Sequence, residues 1–451
     1  MRDMLRALLL ALVIYTLSIS RGFAQESSQQ QTSVKMSLQE CVDFALENHV
    51  DIINAEIEQR IAKAKVGETR AIGLPQINAA GGINNNYKLG KAVFDTPDGV
   101  QEVTFGSKYD GNLQLSGSQL LFDGTYIVGL KAANVYTDLT DKQLISTKID
   151  RVQAVMESYY QILISETRLD AFESNLNRLD TTLRETTLLY ENGFAEKIDV
   201  DRIKVNYNNV KTEINKVERL IDFSYMNLKY QIGMPLENQI SLSSELIDPG
   251  VMSLVDESFQ KADPEMRIEY QELGVNIRLA DLDMKQFQMQ YLPQVSLVGN
   301  YGWNGIGQTW TQINTFAQPS WFGVGAIGLQ VKLPIFEGGR KPYAVRQARL
   351  KKLQLENQKK LLAQGIQVEI KQNRDQLLAA FQDAAFQEEN VELATSVVYT
   401  TRQKYVEGIG SNLELITAEN DLTQAQINYY NSLYESIVAY IALQKAMGIL
   451  Y

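Results

Sequence analysis

The sequence has one cysteine and one histidine, Cys41 and His49, in 451 residues. One cysteine excludes a disulfide within the chain, and the pair is too few for a zinc finger, a haem attachment motif or a Ser-His-Asp triad. The two lie eight positions apart on a predicted helix, where a buried structural cysteine is the commoner arrangement. The formal net charge of −11 disfavours nucleic acid as a partner. We therefore expect no metal site, no cofactor and no enzymatic activity.

Proline and glycine, which most often end helices, are scarce in four long stretches. Residues 130–192, 194–232 and 411–447 contain neither, and residues 343–407 contain only Gly365. A helix of about 63 residues extends ~95 Å, roughly three times the ~30 Å apolar core of a bilayer. Because charged residues occur throughout these stretches, we predict long helices that project into water.

Long apolar runs are also lacking, apart from one near the N-terminus. Ala7–Ser18 is apolar and follows two arginines, and Gly22-Phe23-Ala24 supplies small residues at the positions that a signal peptidase reads. The run is short for a membrane span of ~20 residues. We predict a signal peptide over residues 1–24 and therefore an exported protein.

The chain contains a tandem duplication. Three four-residue motifs return at offsets of 214 to 218 positions: Tyr190–Gly193 as Tyr405–Gly408, Leu74–Ile77 as Leu292–Val295, and Leu121–Gly124 as Ile335–Gly338. Each unit reads as helix, strand, strand, very long helix, turn, long helix. We expect a first repeat over 25–234, an equatorial linker over 235–262 and a second repeat over 263–451.

The shorter of the long helices carry a seven-residue repeat typical of supercoiled helices. The positions are Val200, Tyr207, Ile214, Ile221 and Leu228 in the first unit, and Ala418, Ala425, Ser432, Ala439 and Ala446 in the second. The small residues of the second set allow backbones to approach closely. On this pattern alone, an ordinary helical hairpin and a helical tunnel are equally compatible with the sequence.

Polarity of period two predicts four strands, near residues 76–88, 109–122, 293–304 and 321–336. Strands of a membrane barrel alternate in this way, with apolar side chains toward lipid and polar side chains toward the lumen. Aromatic residues near the strand ends resemble an interfacial girdle: Tyr87, Tyr301, Trp303, Trp310, Trp321 and Phe322. The intervening stretches, 89–108 and 305–320, are predicted to be polar loops outside the cell.

Four strands cannot close a barrel, and an open edge in lipid would leave backbone groups unpaired. A soluble β-sandwich is the alternative, but two hairpins about 180 residues apart cannot build a core. Three copies would supply twelve strands. We therefore predict a mainly α chain with a small transmembrane β part, whose trimer forms a 12-stranded barrel continued by a long α-helical coiled-coil barrel.

These features resemble the TolC-type outer-membrane efflux protein family over essentially the whole mature chain. The resemblance rests on the Leu-Pro-Gln lead into two strands, the Phe-Asp/Glu-Gly exit from two others, the Tyr-x-x-Gly turns and the closing Met447-Gly448. It implies a homotrimer in the outer membrane, with its helices in the periplasm. It also implies a passive exit duct for small molecules or proteins, working with a periplasmic adaptor protein and an inner-membrane transporter.

The resemblance places the entrance gate and the adaptor contacts at the two breaks between long helices, Tyr190–Lys197 and Tyr405–Asn412. Gly193 and Gly408 are the expected turn residues, because glycine readily adopts a left-handed conformation. Tyr190 precedes the first of them and is expected at the adaptor contact.

Three residues match the family's closed entrance. Asp199 and Glu414 lie six residues after the two turn glycines, and Tyr405 matches a gating tyrosine. We also expect Asp199 to hydrogen-bond Tyr405. Both acids are equally explained as favourable first-turn residues of their helices. The chain departs from the family pattern at Gly410, where some members carry a basic residue.

Two other function classes fit parts of the sequence. Paired carboxylates can hydrolyse glycosides, but such an enzyme needs an acid in a pocket, and the acids here lie on exposed helical positions. A non-conducting helical spacer of the cell envelope is the alternative to a duct. It would not require the polar strand positions that all four strands have.

Overall fold

The computed structural model describes residues 34–97, 99–243, 263–314 and 320–451. The predicted signal peptide lies outside the described residues, as does the 244–262 part of the predicted linker. The elements in chain order are β1 Val34–Met36, α1 Leu38–Asn48, α2 Val50–Ala71, β2 Gln76–Asn85, β3 Gly90–Thr96, β4 Gly99–Phe105, β5 Tyr109–Phe122, α3 Gly124–Glu191, α4 Lys197–Ile232, β6 Ile240–Leu242, α5 Ile268–Met289, β7 Gln294–Gly307, α6 Trp310–Asn314, β8 Trp321–Lys332, α7 Arg340–Val406 and α8 Asn412–Met447.

The predicted long helices are confirmed. α3 has 68 residues and α7 has 67, so each extends ~100 Å. α4 and α8 have 36 residues each. Within the described part of the chain, none of the helices combines the length and the apolar character needed to span a membrane.

In each repeat, two of the shorter helices lie end to end. α4 ends at Gly233, whose φ is +74°, and a Cβ there would lie 2.9 Å from the Cα of His49, which begins α2. α8 ends in the same way at Gly448, with φ of +75°, where a Cβ would lie 2.8 Å from the carbonyl oxygen of Met266. α5 begins two residues after Met266. We call these pairs the α4–α2 column and the α8–α5 column.

The columns and the long helices lie side by side in one layer. In the half nearest the strands the order is α2, α3, α5, α7. Side-chain hydrogen bonds join each neighbouring pair: Gln59 to Asp141 (2.5 Å), Lys142 to Gln271 (2.8 Å) and Lys352 to Asp281 (2.7 Å). In the far half the order is α4, α3, α8, α7. The α4–α2 column and α7 are therefore the two edges of the layer.

The largest buried cluster lies where the columns join, near the middle of the layer. It includes Tyr159 of α3, Leu228 of α4, Ile437 of α8 and Cys41 of α1. β1 pairs in parallel with β6 and adds Met36 to the cluster. Cys41 is fully buried and free, and burial raises the pKa of its thiol to about 12. The predicted seven-residue repeat is buried as expected at Ile214, Leu228, Ala418 and Ala446.

The four predicted strands form one antiparallel sheet in the order β2-β5-β7-β8. β5, the last strand of the first repeat, pairs with β7, the first strand of the second, so the duplication is joined in the middle of the sheet. Each repeat thus contributes one hairpin.

The two predicted outer loops contain regular structure that was not predicted from the sequence. Residues 89–108 form a second antiparallel hairpin, β3–β4, stabilised by an ion pair between Lys91 and Glu102 at 2.7 Å. In residues 305–320, β7 continues to Gly307 and α6 follows. The prediction of loops is wrong there. Two strands that pair with each other need no apolar face, so polar composition alone does not distinguish such a hairpin from a loop.

The glycine that ends α4 generates a prediction. Gly233→Ala forces a side chain into a left-handed conformation and against the backbone of His49. We expect a loss of about 2–3 kcal/mol in the free energy of unfolding, measured as a lower thermal midpoint by circular dichroism.

Gly193→Ala is the matched control, because Gly193 has a φ of +81° but a Cβ there would have no neighbour within 4 Å. It should cost only about 1 kcal/mol. Equal losses in the two variants would show that the contact between the ends of α4 and α2 does not matter for stability.

The joint of the α4–α2 column also contains the only histidine. The Nδ1 atom of His49 accepts a hydrogen bond from the backbone N–H of Asp51 at 3.1 Å and so caps α2. Burial lowers the pKa of His49, and the Arg151 guanidinium adds to this, against a weaker opposite effect of the Asp51 carboxylate. The folded protein therefore prefers the neutral imidazole, which alone can accept the hydrogen bond.

A pH dependence follows from the lowered pKa of His49. The unfolded chain binds the proton more tightly, so the stabilisation is present above pH ~6.5 and is lost as pH falls through the lower folded-state pKa. His49→Asn keeps a helix-capping side chain without a titrating group. We expect the thermal midpoint of the wild type to fall relative to that of His49→Asn between pH 7.5 and pH 5; a constant difference would refute the assignment.

Candidate functional site: the polar sheet face and the helical tips

The four-stranded sheet has one polar and one apolar face. Residues directly opposite each other in an antiparallel pair project to the same side. On one face, Asn78, Ser116 and Asn300 lie in one row. On the other, Leu115 lies opposite Tyr301. The polar face also carries Gln76, Asn84, Asp110, Asn112, Gln114, Ser118, Gln294, Asn304, Gln330 and Lys332. The predicted alternation is therefore confirmed at most positions of the paired strands. Phe322 is an exception: it was predicted in the aromatic girdle, but it lies in the row of Asn112 and Asn304 and so on the polar face, as do Val298, Ile306 and Val324.

Charge is scarce on the polar face. Among the residues of β2, β5, β7 and β8 it carries only Asp110 and Lys332, at opposite ends of the sheet. The Asp110 carboxylate accepts hydrogen bonds from Asn84 at 2.8 Å and Asn86 at 2.5 Å. The rest of the polar face consists mainly of amides, hydroxyls and small residues, which hydrate well without selecting strongly for either sign of charge.

Glycines on the apolar face make room for large aromatic side chains. Trp321 lies across the backbone of β7 and β5, so that a Cβ at Gly305 would be 2.5 Å from its ring and one at Gly111 would be 2.8 Å away. Its Nε1 donates to the carbonyl oxygen of Ile313 in α6 at 3.0 Å. Tyr301 covers Gly325 in the same way. These rings give the apolar face a continuous surface where the strand backbone would otherwise be bare.

At the opposite end of the molecule, each hairpin of long helices turns at a left-handed glycine. The N–H of Gly193 donates to the Tyr190 carbonyl at 3.0 Å, and the N–H of Gly408 donates to the Tyr405 carbonyl at 3.1 Å. The φ angles are +81° and +76°. The next residue in each turn bonds back five positions, which makes both turns Schellman motifs. The structure therefore places both predicted turn glycines, and Tyr190, at the tips.

Gly410 has a separate physical reason to be glycine. A Cβ at this position would lie 2.9 Å from the Tyr405 backbone nitrogen and 2.9 Å from the Lys404 Cβ. The tight turn after α7 thus has no room for the basic residue that some family members are expected to carry.

Asp199 connects the two tips. As the third residue of α4 it closes a capping box with Glu196, and its Oδ1 accepts a hydrogen bond from Asn412 Nδ2 at 2.9 Å. Asn412 is the first residue of α8 and is buried. Asp199 is therefore a helix-start residue and also a contact between the hairpins, and its role in the gate stays a prediction.

Tyr405 also lies between the hairpins. Its hydroxyl is 3.0 Å from the Thr186 hydroxyl of α3. Burial raises the pKa of Tyr405, and the nearby carboxylates of Asp199 and Glu185 add to that effect, so the phenol stays protonated. The predicted hydrogen bond between Tyr405 and Asp199 is not formed, because each has a nearer partner on the opposite hairpin.

Glu414 is exposed in the first turn of α8. It lies on the same helix turn as Asn412, yet it makes none of the contacts between hairpins found among the described residues. Its position fits both a favourable helix-start acid and a carboxylate directed away from the chain's own hairpin contact.

The strongest contact between the hairpins was missed in the sequence. Arg178 of α3 donates two hydrogen bonds to Glu419 of α8, both at 2.8 Å, and a third to Asn175 at 2.8 Å. Asn175 in turn donates to Gln426 at 2.6 Å. Glu419 is only 2% exposed. We call this group the tip network.

A sequence signal for the tip network exists. Leu415, Glu419, Leu422 and Gln426 are spaced as one stripe of α8, and Leu415 and Leu422 are buried. Two polar residues on a buried stripe need polar partners on the neighbouring helix. The partner itself could not be chosen, since nothing in the sequence says which of the many arginines and lysines of α3 faces α8.

Comparison with known proteins agrees with this architecture. Residues 41–233 and 269–449 match the family described as outer membrane efflux protein. The chain is similar to the outer membrane protein TolC of Vibrio cholerae, at 19% identity over 92% of this chain and 91% of the relative. It is 23% identical to the alkaline protease secretion protein AprF of Pseudomonas aeruginosa, over 74% of this chain and 69% of the relative. The fold resembles the CmeC outer membrane channel of Campylobacter jejuni, with a TM-score of 0.73 and 16% identity over 95% of this chain and 91% of that one.

The tip network generates a prediction on stability. Arg178→Met leaves the Glu419 carboxylate buried without its cation, and Glu419→Gln removes one charge of the pair. We expect each change to cost about 2–3 kcal/mol of unfolding free energy. A double-mutant cycle followed by thermal unfolding should return a coupling energy above ~1 kcal/mol.

The exposed pair Arg184–Asp180 on the same helix is the control. Its side chains are 78% and 35% exposed, and breaking it with Asp180→Asn should change stability by less than ~0.5 kcal/mol. Additive losses in the Arg178 and Glu419 variants would show that the two side chains do not act as a pair.

Proposed function

The chain belongs to the outer membrane efflux protein family, and we propose that three copies of it form a passive conduit through the outer membrane, gated at the helical tips. As a member of this family it is a transport protein of the outer membrane and not an enzyme. The observation that carries the proposal is a sheet with one polar face, one apolar face and two strands, β2 and β8, that are each paired on one side only among the described strands.

The two edge strands of the sheet need further copies of the chain as pairing partners. In lipid, the backbone N–H and C=O groups of an edge strand have no water to bond, and each unpaired group costs several kcal/mol. β2 and β8 are at opposite edges, so β8 of one copy is placed to pair with β2 of the next. Repeating that step closes a ring of identical interfaces.

The helical layer has matching edges. α7 exposes an apolar stripe along most of its length, formed by Tyr343, Leu350, Leu361, Val368, Phe386 and Leu393. The α4–α2 column exposes a second stripe, formed by Ile198, Val205, Phe223, Tyr230, Ile53 and Ile57. Successive spacings of 4, 7, 11 and 18 residues within a helix keep each set on one side of its helix. Joining these stripes between copies covers both and closes the helical layer in the same direction as the sheet.

The width of the barrel favours three copies. Two copies would give eight strands, and a barrel of that size has an interior that side chains fill. Three copies give twelve strands and a wider, water-filled lumen lined by the polar face. The same ring contains twelve helical columns, six of them continuous and six built from two helices.

The gate is proposed at the tips, where the hairpins of one chain are held together. The tip network and the contacts of Asp199 and Tyr405 draw the α7–α8 hairpin against the α3–α4 hairpin. Breaking those contacts would free the α7–α8 hairpin to move outward. Three copies of the exposed Glu414 would form a ring of carboxylates that attracts cations at the entrance.

The conduit contains no energy source of its own, so its partners select and drive the cargo. We propose that the tips, with Gly193, Gly408 and Tyr190, contact a periplasmic adaptor protein, which connects the duct to an inner-membrane transporter. Two relatives are named for protease secretion and others for efflux of toluene or antibiotics. The neutral polar lining of the sheet fits a general duct better than a selective pore.

The first experiment is conductance of the purified protein in a planar bilayer, after its mass has been measured in detergent. We expect a trimer that opens in discrete, cation-selective steps. Glu414→Gln should reduce the preference for cations while leaving the trimer intact. A stable monomer without conductance would refute the conduit and favour a helical spacer of the envelope.

The gate is tested by Asp199→Ala and Tyr405→Phe, each of which removes one contact between the hairpins. We expect larger mean conductance in both variants. Each substitution removes a hydrogen bond that is present only in the closed arrangement, and so shifts the equilibrium toward the open one. Tyr399→Phe, a change at an exposed tyrosine two turns away, is the matched control and should conduct as the wild type does. Unchanged conductance in all three would place the gate elsewhere.

A further inference from the structure

Exposed cations without an acidic partner gather on the helices where they meet the sheet. They are Lys63 and Arg70 of α2, Lys131 of α3, and Arg346 and Arg349 of α7. Each lies within about ten residues of the helix end nearest the sheet, hence within ~15 Å of it along the axis. None of the five takes part in an ion pair among the described residues. We call them the basic collar.

The acids at the same height are already paired, except Asp123 and Asp283. Asp123 forms no ion pair, and its carboxylate caps α3 by accepting hydrogen bonds from the backbone N–H groups of Thr125 and Tyr126. Asp281 binds both Lys285 and Lys352 at 2.7 Å, Glu337 binds Arg340 at 2.6 Å, and Glu68 binds Lys65 at 2.6 Å. Asp283 is exposed, but it lies about 160° around α5 from Lys285. The surface near the sheet is therefore positive in a chain whose formal net charge is −11.

Ion pairs between helices show that most of the collar shares one side of the layer. Asp138 of α3 pairs with Arg278 of α5 at 3.5 Å, and Lys131 lies two turns from Asp138 on the same side of α3. Lys285 lies two turns from Arg278 on the same side of α5. Asp281 then joins Lys285 to Lys352 of α7, which is one turn from Arg349.

The handedness of the chain identifies this side as the outer one. Asn86, the residue after β2, donates its N–H to the carbonyl oxygen of Lys108, just before β5. Ile306 of β7 donates its N–H to the carbonyl oxygen of Ser320, just before β8. Both donors occupy polar-face positions. For L-residues, this places β5 to the left of β2 and β8 to the left of β7, seen from the apolar side with the helices below. α7 is thus the left edge of the layer in that view.

α7 runs downward from this edge. It contacts α5 on its right through Lys341, Lys352 and Lys359, and Tyr343 and Leu350 face left. In a right-handed helix running down, residues 346 and 349 then face the viewer, on the side where the sheet is apolar. The collar therefore continues downward from the surface that contacts lipid.

Arg346 and Arg349 also border a groove between α5 and α7. The groove has a volume of about 450 Å³, and its other lining residues are Met284, Leu350, Leu353 and the ion pair of Lys352 with Glu356. Two guanidinium groups one turn apart on an exposed helix face match the anionic phosphate of a phospholipid headgroup.

We propose that the basic collar binds the phosphate headgroups of anionic lipid in the periplasmic leaflet of the outer membrane. This inference rests on the proposed function for the orientation of the sheet in the membrane. The apolar face of the sheet sets the height of the molecule in the hydrocarbon layer, and the collar fixes it against the headgroups below. Three copies carry fifteen collar cations, and nine of them (Lys131, Arg346 and Arg349 of each copy) are on the outer side.

The test uses the full-length protein in neutral detergent, with added phosphatidylglycerol or phosphatidylcholine. We expect phosphatidylglycerol to raise the thermal midpoint by several degrees at 50 mM NaCl and to lose most of that effect at 500 mM NaCl. Phosphatidylcholine should have little effect. The double variant Arg346→Gln/Arg349→Gln should keep its fold and lose at least half of the shift produced by phosphatidylglycerol.

Lys204→Gln/Lys211→Gln is the matched control, because these exposed lysines are also two cations on one helix, near the tips, and neither forms an ion pair in the described part of the chain. It should respond to phosphatidylglycerol as the wild type does. Equal shifts with both lipids, or a full shift in the Arg346/Arg349 variant, would overturn the proposal. So would binding to isolated cell-wall polymer through these arginines without any preference for anionic lipid.

Conductance in a bilayer of neutral lipid separates this inference from the proposed function. The Arg346/Arg349 variant should conduct as the wild type does there. A wild type that does not conduct but is stabilised specifically by phosphatidylglycerol would refute the conduit and support lipid binding by the collar. A wild type that conducts but shows no lipid preference would support the conduit and refute lipid binding by the collar.

Discussion

The unpaired edges of the sheet are the constraint on which the rest of the molecule depends. Every backbone group in a lipid environment needs a hydrogen-bond partner, and a four-stranded sheet leaves two rows without one. Since β2 follows α2 and β8 precedes α7, the open edges of the sheet and of the helical layer fall on the same two sides of the chain. One step from copy to copy can therefore satisfy the backbone in the membrane and cover the apolar stripes in water. The rest of the fold keeps those two layers in register.

The duplication explains how one chain keeps that register over its length. The long helices of the two repeats are nearly equal in length. α4 and α8 each end at a left-handed glycine that contacts the start of the next helix in the same column. The polar groups at the two joints differ. His49 with Asp51 and Arg151 occupies one, whereas Arg267 with Glu269 and Glu369 occupies the other. The backbone geometry is thus common to both repeats, while the side chains that stabilise it have diverged.

Much of this architecture could be predicted from the sequence because it depends on periodicity. A run without glycine or proline predicted α3, and a run with a single glycine predicted α7. The alternation of residues such as Asn78 and Ile77 predicted the strands and their two faces. The turn glycines Gly193 and Gly408 were found because the same motif occurs twice. Contacts between elements were harder to predict. The partner of Asp199 was expected to be Tyr405, but it is Asn412, since choosing between two polar groups a few ångströms apart requires the packing of four helices. The β3–β4 hairpin was missed because it pairs only with itself and has no apolar pattern that a core would impose.

The buried position of Cys41 has a consequence for how the protein behaves outside the cytoplasm and in the laboratory. The thiol has no access to solvent, and its pKa of about 12 leaves almost none of it as thiolate at neutral pH. Oxidants and thiol-disulfide exchange enzymes therefore have nothing to attack, and copies of the chain do not become crosslinked in an oxidising compartment. For the same reason the native protein does not react with maleimide reagents. A cysteine introduced at any exposed position would then be the sole reactive thiol, so fluorophores or spin labels could be attached to the tips without first removing the native residue.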